Sequence, residues 1–210
     1  MESQVSTAFS DLILVVSALW SYKKLSSVTE IDYQFSNWWF MLQMISAIGG
    51  RYHDKIEKYH KNFSWLTQTV GIPCLGAQFA FSTSLPPYLR KNECIFKRKN
   101  IFEWHTLHST RSRDKIFLGS AVVSFVICSK KPELKESVPM FVTALVILVL
   151  MFFALKESNT DLCYAVVLMI ISTVIGTKDD FVILSLPATD IFHYLLAIAN
   201  MFTVKALLYS

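Results

Sequence analysis

Residues Val138–Leu155 read VPMFVTALVILVLMFFAL, with no charged group in the run. A helix needs about 20 mostly apolar residues to cross the roughly 30 Å hydrocarbon core of a bilayer, and this stretch comes close to that by itself. Pro139 falls in its first turn, where a missing N–H is harmless because no intrahelical partner precedes it. The polar turn Lys156-Glu157-Ser158-Asn159 ends the run. Working outward, six more apolar segments stand at Thr7–Tyr22, Asn37–Gly50, Phe63–Leu85, Ile116–Ser129, Leu162–Gly176 and Ala188–Tyr209. The second, fourth and sixth are short, so they need flanking residues or a thin part of the bilayer to reach across. Ser84-Leu85-Pro86-Pro87 stops the third, since neither proline can continue a helix, and Pro73 is a candidate kink within it. Lys178-Asp179-Asp180 is a second polar turn, and Pro187 stands just before the last segment.

Composition supports the same layout. The chain has 210 residues, 53% hydrophobic and only 17% charged. A soluble domain carries roughly 25% charged residues, and a globule of this composition would leave too much apolar surface in water. Disorder is excluded, because it needs low hydrophobicity and high charge. The expected fold class is therefore all-α: a polytopic membrane protein, a bundle of about seven transmembrane helices forming one integral membrane domain over residues 1–210. The first segment is not read as a secretory signal, because it lacks a basic leader and carries Asp11 within the apolar run. Cys74, Cys94, Cys128 and Cys163 lie far apart with no C-x-x-C pairing, which points away from a disulfide scaffold or a zinc module.

Orientation follows from Lys and Arg in the loops. Loops after odd-numbered helices hold eleven, against eight after even-numbered ones. This places the N-terminus on the lumenal or extracellular side and the C-terminus in the cytosol. The Pro86–Lys115 loop, with Lys97-Arg98-Lys99, decides the count. Asn62-Phe63-Ser64 is a glycosylation sequon and falls on the outer side in this topology.

An ionisable residue inside a spanning helix is costly and marks a functional site by default. Asp11 lies near the start of the first segment, His53 and Asp54 end the second, and Asp190 and His193 open the seventh. In a seven-helix chain those three places share one membrane face. Two imidazoles with carboxylates nearby suit a divalent metal, most plausibly zinc, with carboxylates orienting the rings. The competing reading is a structural polar cluster at helix ends, where Asp190 caps its helix and meets the dipole. His105 and His108 have the H-x-x-H spacing but sit in the basic loop. Small residues in the second and third segments (Ser46 to Gly50; Gly71, Gly76, Ala77) permit close helix approach. Trp38-Trp39, Trp65 and Tyr209 read as an interfacial belt. No phosphate loop, no G-x-S-x-G and no nucleic-acid motif is present.

Thr189-Asp190-Ile191-Phe192-His193-Tyr194 resembles the H-x-x-x-H segment of the seven-helix superfamily that includes the alkaline ceramidases and the progestin and adipoQ receptors. Ser46 to His53 is similar to that superfamily's Ser-and-His segment. The resemblance implies zinc held by histidines, with a serine and an aspartate close by, and hydrolysis of lipid amide bonds. The family's first seventh-helix histidine falls on Thr189 here. The resemblance thus carries over His53 and His193 as metal ligands, with Asp11 or Asp190 in place of the missing one. The functional expectation is a metal-dependent lipid amidase, or an inactive relative that binds lipid, with membrane lipid as its partner and no nucleic acid. The alternative is a non-catalytic scaffold, receptor or subunit with protein partners in the bilayer; a transporter ranks third.

Overall fold

The computed structural model describes residues 2–28, 33–48, 63–84, 112–135, 137–176, 182–183 and 186–209. Among them the architecture is all-helical, apart from one short hairpin. Seven α-helices follow in order: α1 Glu2–Val28, α2 Gln34–Ile48, α3 Ile72–Ser84, α4 Ser112–Lys130, α5 Ser137–Lys156, α6 Thr160–Gly176 and α7 Ala188–Tyr209. The hairpin pairs β1 (Val182–Ile183) with β2 (Leu186–Pro187), antiparallel, immediately before α7. Within the described residues, each expected segment is helical. The main difference is α1, which begins before Thr7 and continues past Lys23 and Lys24. Two helical stretches, Ser137–Lys156 and Ala188–Leu208, are long and apolar enough to cross a membrane, and α6 is apolar but shorter.

The entry to α3 departs from a regular helix for a local reason. Pro73 lacks an N–H, and its ring clashes with the carbonyl four residues back. The chain responds with a π-helical turn over Thr67–Gly71, in which the Ile72 N–H reaches back to the Thr67 carbonyl. Thr67 Oγ1 donates to the Phe63 carbonyl and Thr69 Oγ1 to the Trp65 carbonyl, both at 2.8 Å. Both are back-bonds from a threonine hydroxyl to the carbonyl four residues earlier, which often accompany a bend in the helix. Gly71 has a separate role here. A Cβ there would sit 2.9 Å from the Trp39 ring, so the indole packs inward against α3's entry. Trp39 is therefore a core residue, whereas its neighbour Trp38 is exposed as a belt residue should be.

The α5–α6 turn is closed by backbone and side chain together. Ser158 takes a positive φ of 51°, and the Asn159 N–H bonds the Ala154 carbonyl at 2.9 Å, which satisfies a carbonyl at the end of α5. Asn159 Oδ1 accepts from the Leu162 N–H at 2.9 Å, capping α6, while its Nδ2 donates to the Ala206 carbonyl of α7 at 3.2 Å.

In the bundle, α1 packs between α2 and α7, α6 lies on the other side of α7, and α5 joins α6 to α3. Helix α4 lies against α3 and α5. The core holds Leu14, Phe40, Leu75, Leu150, Val166 and Val204. The outward faces are apolar as well: Leu12, Val16 and Leu19 on α1, Phe141, Leu148 and Phe152 on α5, and Tyr164, Ile170 and Val174 on α6 are exposed. Many of the polar side chains of these helices point inward instead, among them Ser10, Asp11, Ser21, Gln43, Asp190, Asn200 and Thr203.

Candidate functional site

The buried stripe of α1 runs Thr7, Ser10, Asp11, Leu14, Ala18, Ser21, Leu25, and that of α7 runs Asp190, His193, Ala197, Asn200, Thr203 and Val204. Both follow the three-and-four spacing that keeps residues on one helix face. The cross-helix bonds rise together. Ser6 and Ser10 meet Asp190, Ser10 and Asp11 meet His193, and Ser17 meets Asn200. So α1 and α7 run parallel and in register. Helix α2 runs against them, since Tyr33 Oη bonds the Leu207 carbonyl while Gln43 meets Asn200.

At the N-terminal ends of α1 and α7 this register builds one polar cluster. Asp190 has no exposed surface. Ser6 Oγ donates to its Oδ2, and Ser10 Oγ lies 3.0 Å from its Oδ1. Burying a carboxylate is costly unless it is paired or hydrogen-bonded. Here two hydroxyls and the first turn of α7, where the helix dipole favours negative charge, offset that cost. His193 Nδ1 lies 2.9 Å from Asp11 Oδ1, with both side chains about nine-tenths buried. A carboxylate only accepts, so Nδ1 carries the hydrogen and donates to Asp11. Ser10 Oγ, 3.2 Å from Nδ1 and 2.9 Å from the Thr7 carbonyl, is then a secondary acceptor for the ring and keeps its own hydrogen for Asp190 or Thr7.

Two consequences follow. His193 Nε2 has no hydrogen-bond partner among the described residues, so in the neutral ring its lone pair is open. An Nδ1–H held by a carboxylate with a free Nε2 is the arrangement of a metal-ligating imidazole and of a general base. The second concerns Ser10. In a Ser–His–Asp relay the serine faces Nε2 and the aspartate faces Nδ1. Ser10 and Asp11 both lie on the Nδ1 side, so Ser10 is not placed as a nucleophile activated by His193.

The structure brings together three of the residues singled out from sequence: Asp11, Asp190 and His193. His53 and Asp54 lie outside the described residues, as do His105, His108, Asn62 and the Lys97–Lys99 run. Among the described residues no group of three or more His, Cys, Asp or Glu side chains could hold a metal ion. Ser6 and Ser10 were missed as members of the cluster. Their signal was available, because they stand four apart on the helix face that also carries Asp11. Ser46 Oγ, in the segment of the family resemblance, pairs with Ser64 Oγ at 2.8 Å. No protein-family profile, curated protein or solved structure matches the chain.

Proposed function

We propose that this protein is a multi-pass integral membrane protein, a seven-helix bundle whose α1–α7 cluster is a hydrolase-like centre acting on a lipid amide, with His193 Nε2 as its working atom. The membrane part rests on the inverted distribution of side chains. Apolar residues cover the outside of α1, α5 and α6, while Asp, His, Asn, Gln and Ser face inward. In water such a surface would aggregate; in lipid it is the low-energy arrangement. Parallel α1 and α7 agree with an odd number of passes between two odd-numbered helices.

The catalytic part is carried by one observation, the 2.9 Å Asp11–His193 bond that fixes the ring and leaves Nε2 without a partner among the described residues. The family resemblance adds zinc. His193 fits as one ligand through Nε2, oriented by Asp11, and His53 is the second ligand that the sequence offers. Zinc held at such a centre would supply a Lewis acid and a bound water acidified to near neutrality. Asp11 holds the tautomer, and Asp190 holds α1 to α7 through the two serines. The exposed apolar faces give an acyl chain a path along the bundle.

The test is metal analysis and lipid-amide hydrolysis on protein purified in mild detergent, comparing wild type with His193→Ala, Asp11→Asn and His53→Ala. Loss of about tenfold or more in metal affinity or activity in Asp11→Asn, with near-complete loss in His193→Ala, is expected. Absence of metal and of hydrolysis in wild type, unchanged by any of the three substitutions, overturns the reading.

The non-catalytic reading has its own observation: both oxygens of Asp190 are engaged by α1 hydroxyls, a clasp that stabilises the helix pair without chemistry. A wild-type protein free of metal and of activity, but recovered in a defined complex with a membrane partner, would favour it.

A further inference from the structure

Two helical turns beyond His193, about 10 Å along α7, lies a second polar junction that the proposed centre does not use. Asn200 of α7 has no exposed surface and Gln43 of α2 is 2% exposed. Asn200 Nδ2 donates to Gln43 Oε1 at 2.7 Å and to Ser17 Oγ of α1 at 3.2 Å. Asn200 Oδ1, Gln43 Nε2 and Ser21 Oγ are buried and have no hydrogen-bond partner among the described residues. Asn200 Oδ1 and Gln43 Nε2 are thus the two atoms of the bonded amide pair left open at the α1–α2–α7 junction.

We infer that this junction is a binding site for one neutral hydroxylic molecule, a buried water. The chemistry selects it. A single bond between two amides leaves one carbonyl oxygen and one NH2 group unmet, and exchanging O for N in both amides leaves the same deficit. The guest must therefore donate to one amide and accept from the other. A cation would face the Gln43 N–H, and an anion would face the Asn200 carbonyl. Water does both, with the Asn200 carbonyl and the Gln43 amide as its two partners, within the range a buried water makes. The junction is enclosed, since Asn200 is 0% and Gln43 2% exposed. That enclosure favours water over the hydroxyl of a lipid, which would need an opening for its chain. The inference is independent of hydrolysis at His193.

The test uses the full-length protein with 15N-labelled glutamine side chains, in nanodiscs of a diacyl phosphatidylcholine, a lipid with no hydroxyl group. Solid-state NMR then measures magnetisation transfer from water to the side-chain amides, with the Gln43 signal assigned by its loss in Gln43→Met. Transfer to the Gln43 amide is expected, alongside that to the exposed Gln34 and Gln68. A Gln43 signal with no transfer, while Gln34 and Gln68 show it, overturns the inference. So does transfer that arises only when a hydroxyl-bearing lipid is added. If Gln43→Met does not fold, Asn200→Leu removes the other half of the site and must abolish the same transfer.

Discussion

Replacing Ser10 by Ala separates the architecture of the cluster from its chemistry. Ser10 is fully buried, and its hydroxyl lies 3.0 Å from Asp190 Oδ1. The substitution deletes one oxygen and so removes a hydrogen bond to a charged group, about 1.5–3 kcal/mol. Alanine is the better helix former, which returns a few tenths of a kcal/mol within α1. Ser6 still serves Asp190 Oδ2, and the Asp11–His193 bond is untouched, so neither buried carboxylate loses its last partner. The net cost is about 1–2.5 kcal/mol. For a chain of this size each kcal/mol lowers Tm by roughly 2–4 °C, so a fall of about 2–10 °C is expected in a thermal unfolding scan in detergent. If the protein hydrolyses lipid amides as proposed, hydrolysis by the folded variant should stay within about threefold of wild type, because Ser10 sits on the Nδ1 side of His193. An unchanged Tm would refute the assigned Ser10–Asp190 bond. Abolished hydrolysis at near-normal Tm would refute the side assignment, since Ser10 would then be the nucleophile.

Three further outcomes are expected, each read as a change in Tm. A Cβ at Gly76 would lie 2.8 Å from the Phe117 ring and 2.9 Å from Val146 Cγ1, whereas one at Gly119 meets nothing within 4 Å. Gly76→Val should therefore destabilise by about 3 kcal/mol through overpacking of α3 against α4 and α5, while Gly119→Ala should stabilise by up to about 1 kcal/mol; equal signs would contradict the α3–α4–α5 contact. Asn159→Ala removes the α6 cap and the tie to Ala206, costing about 1–3 kcal/mol together, and Asn159→Ser, which keeps only the cap, should recover roughly half. Tyr33→Phe deletes the 3.1 Å bond to the Leu207 carbonyl at the far end of α7. It should cost about 0.5–1.5 kcal/mol, with no effect on metal content or hydrolysis.

Much of the fold was legible along the chain. Val138–Leu155 and Ala188–Tyr209 are helical where their apolar runs place them, and the Lys156–Asn159 turn ends α5 as its polar residues indicate. Each of these depends on residues within one or two turns of each other. The length of α1 was less legible, because Glu, Ser and Gln at its start and Lys and Ser at its end lower its hydropathy without breaking a helix. The π-turn before Pro73 was read only as a kink, since proline determines that a bond is missing but not how the backbone re-routes it.

The candidate site divides along the same line. Asp11, Asp190 and His193 were recognisable because an ionisable group in an apolar run is costly wherever it ends up. Which oxygen faces which ring nitrogen depends on the rotation and axial shift of α1 against α7, two helices separated by most of the chain. A shift of one residue turns a side chain about 100° around its helix, enough to take Ser10 out of reach of Asp190. The sequence by itself determined that this chain forms apolar helices with a few inward polar exceptions, because hydropathy and helical periodicity are local. Only the tertiary structure decided that Asp11 takes His193 Nδ1, and that Asn200 meets Gln43, because those pairings arise from the parallel register of α1 with α7 and the opposing run of α2.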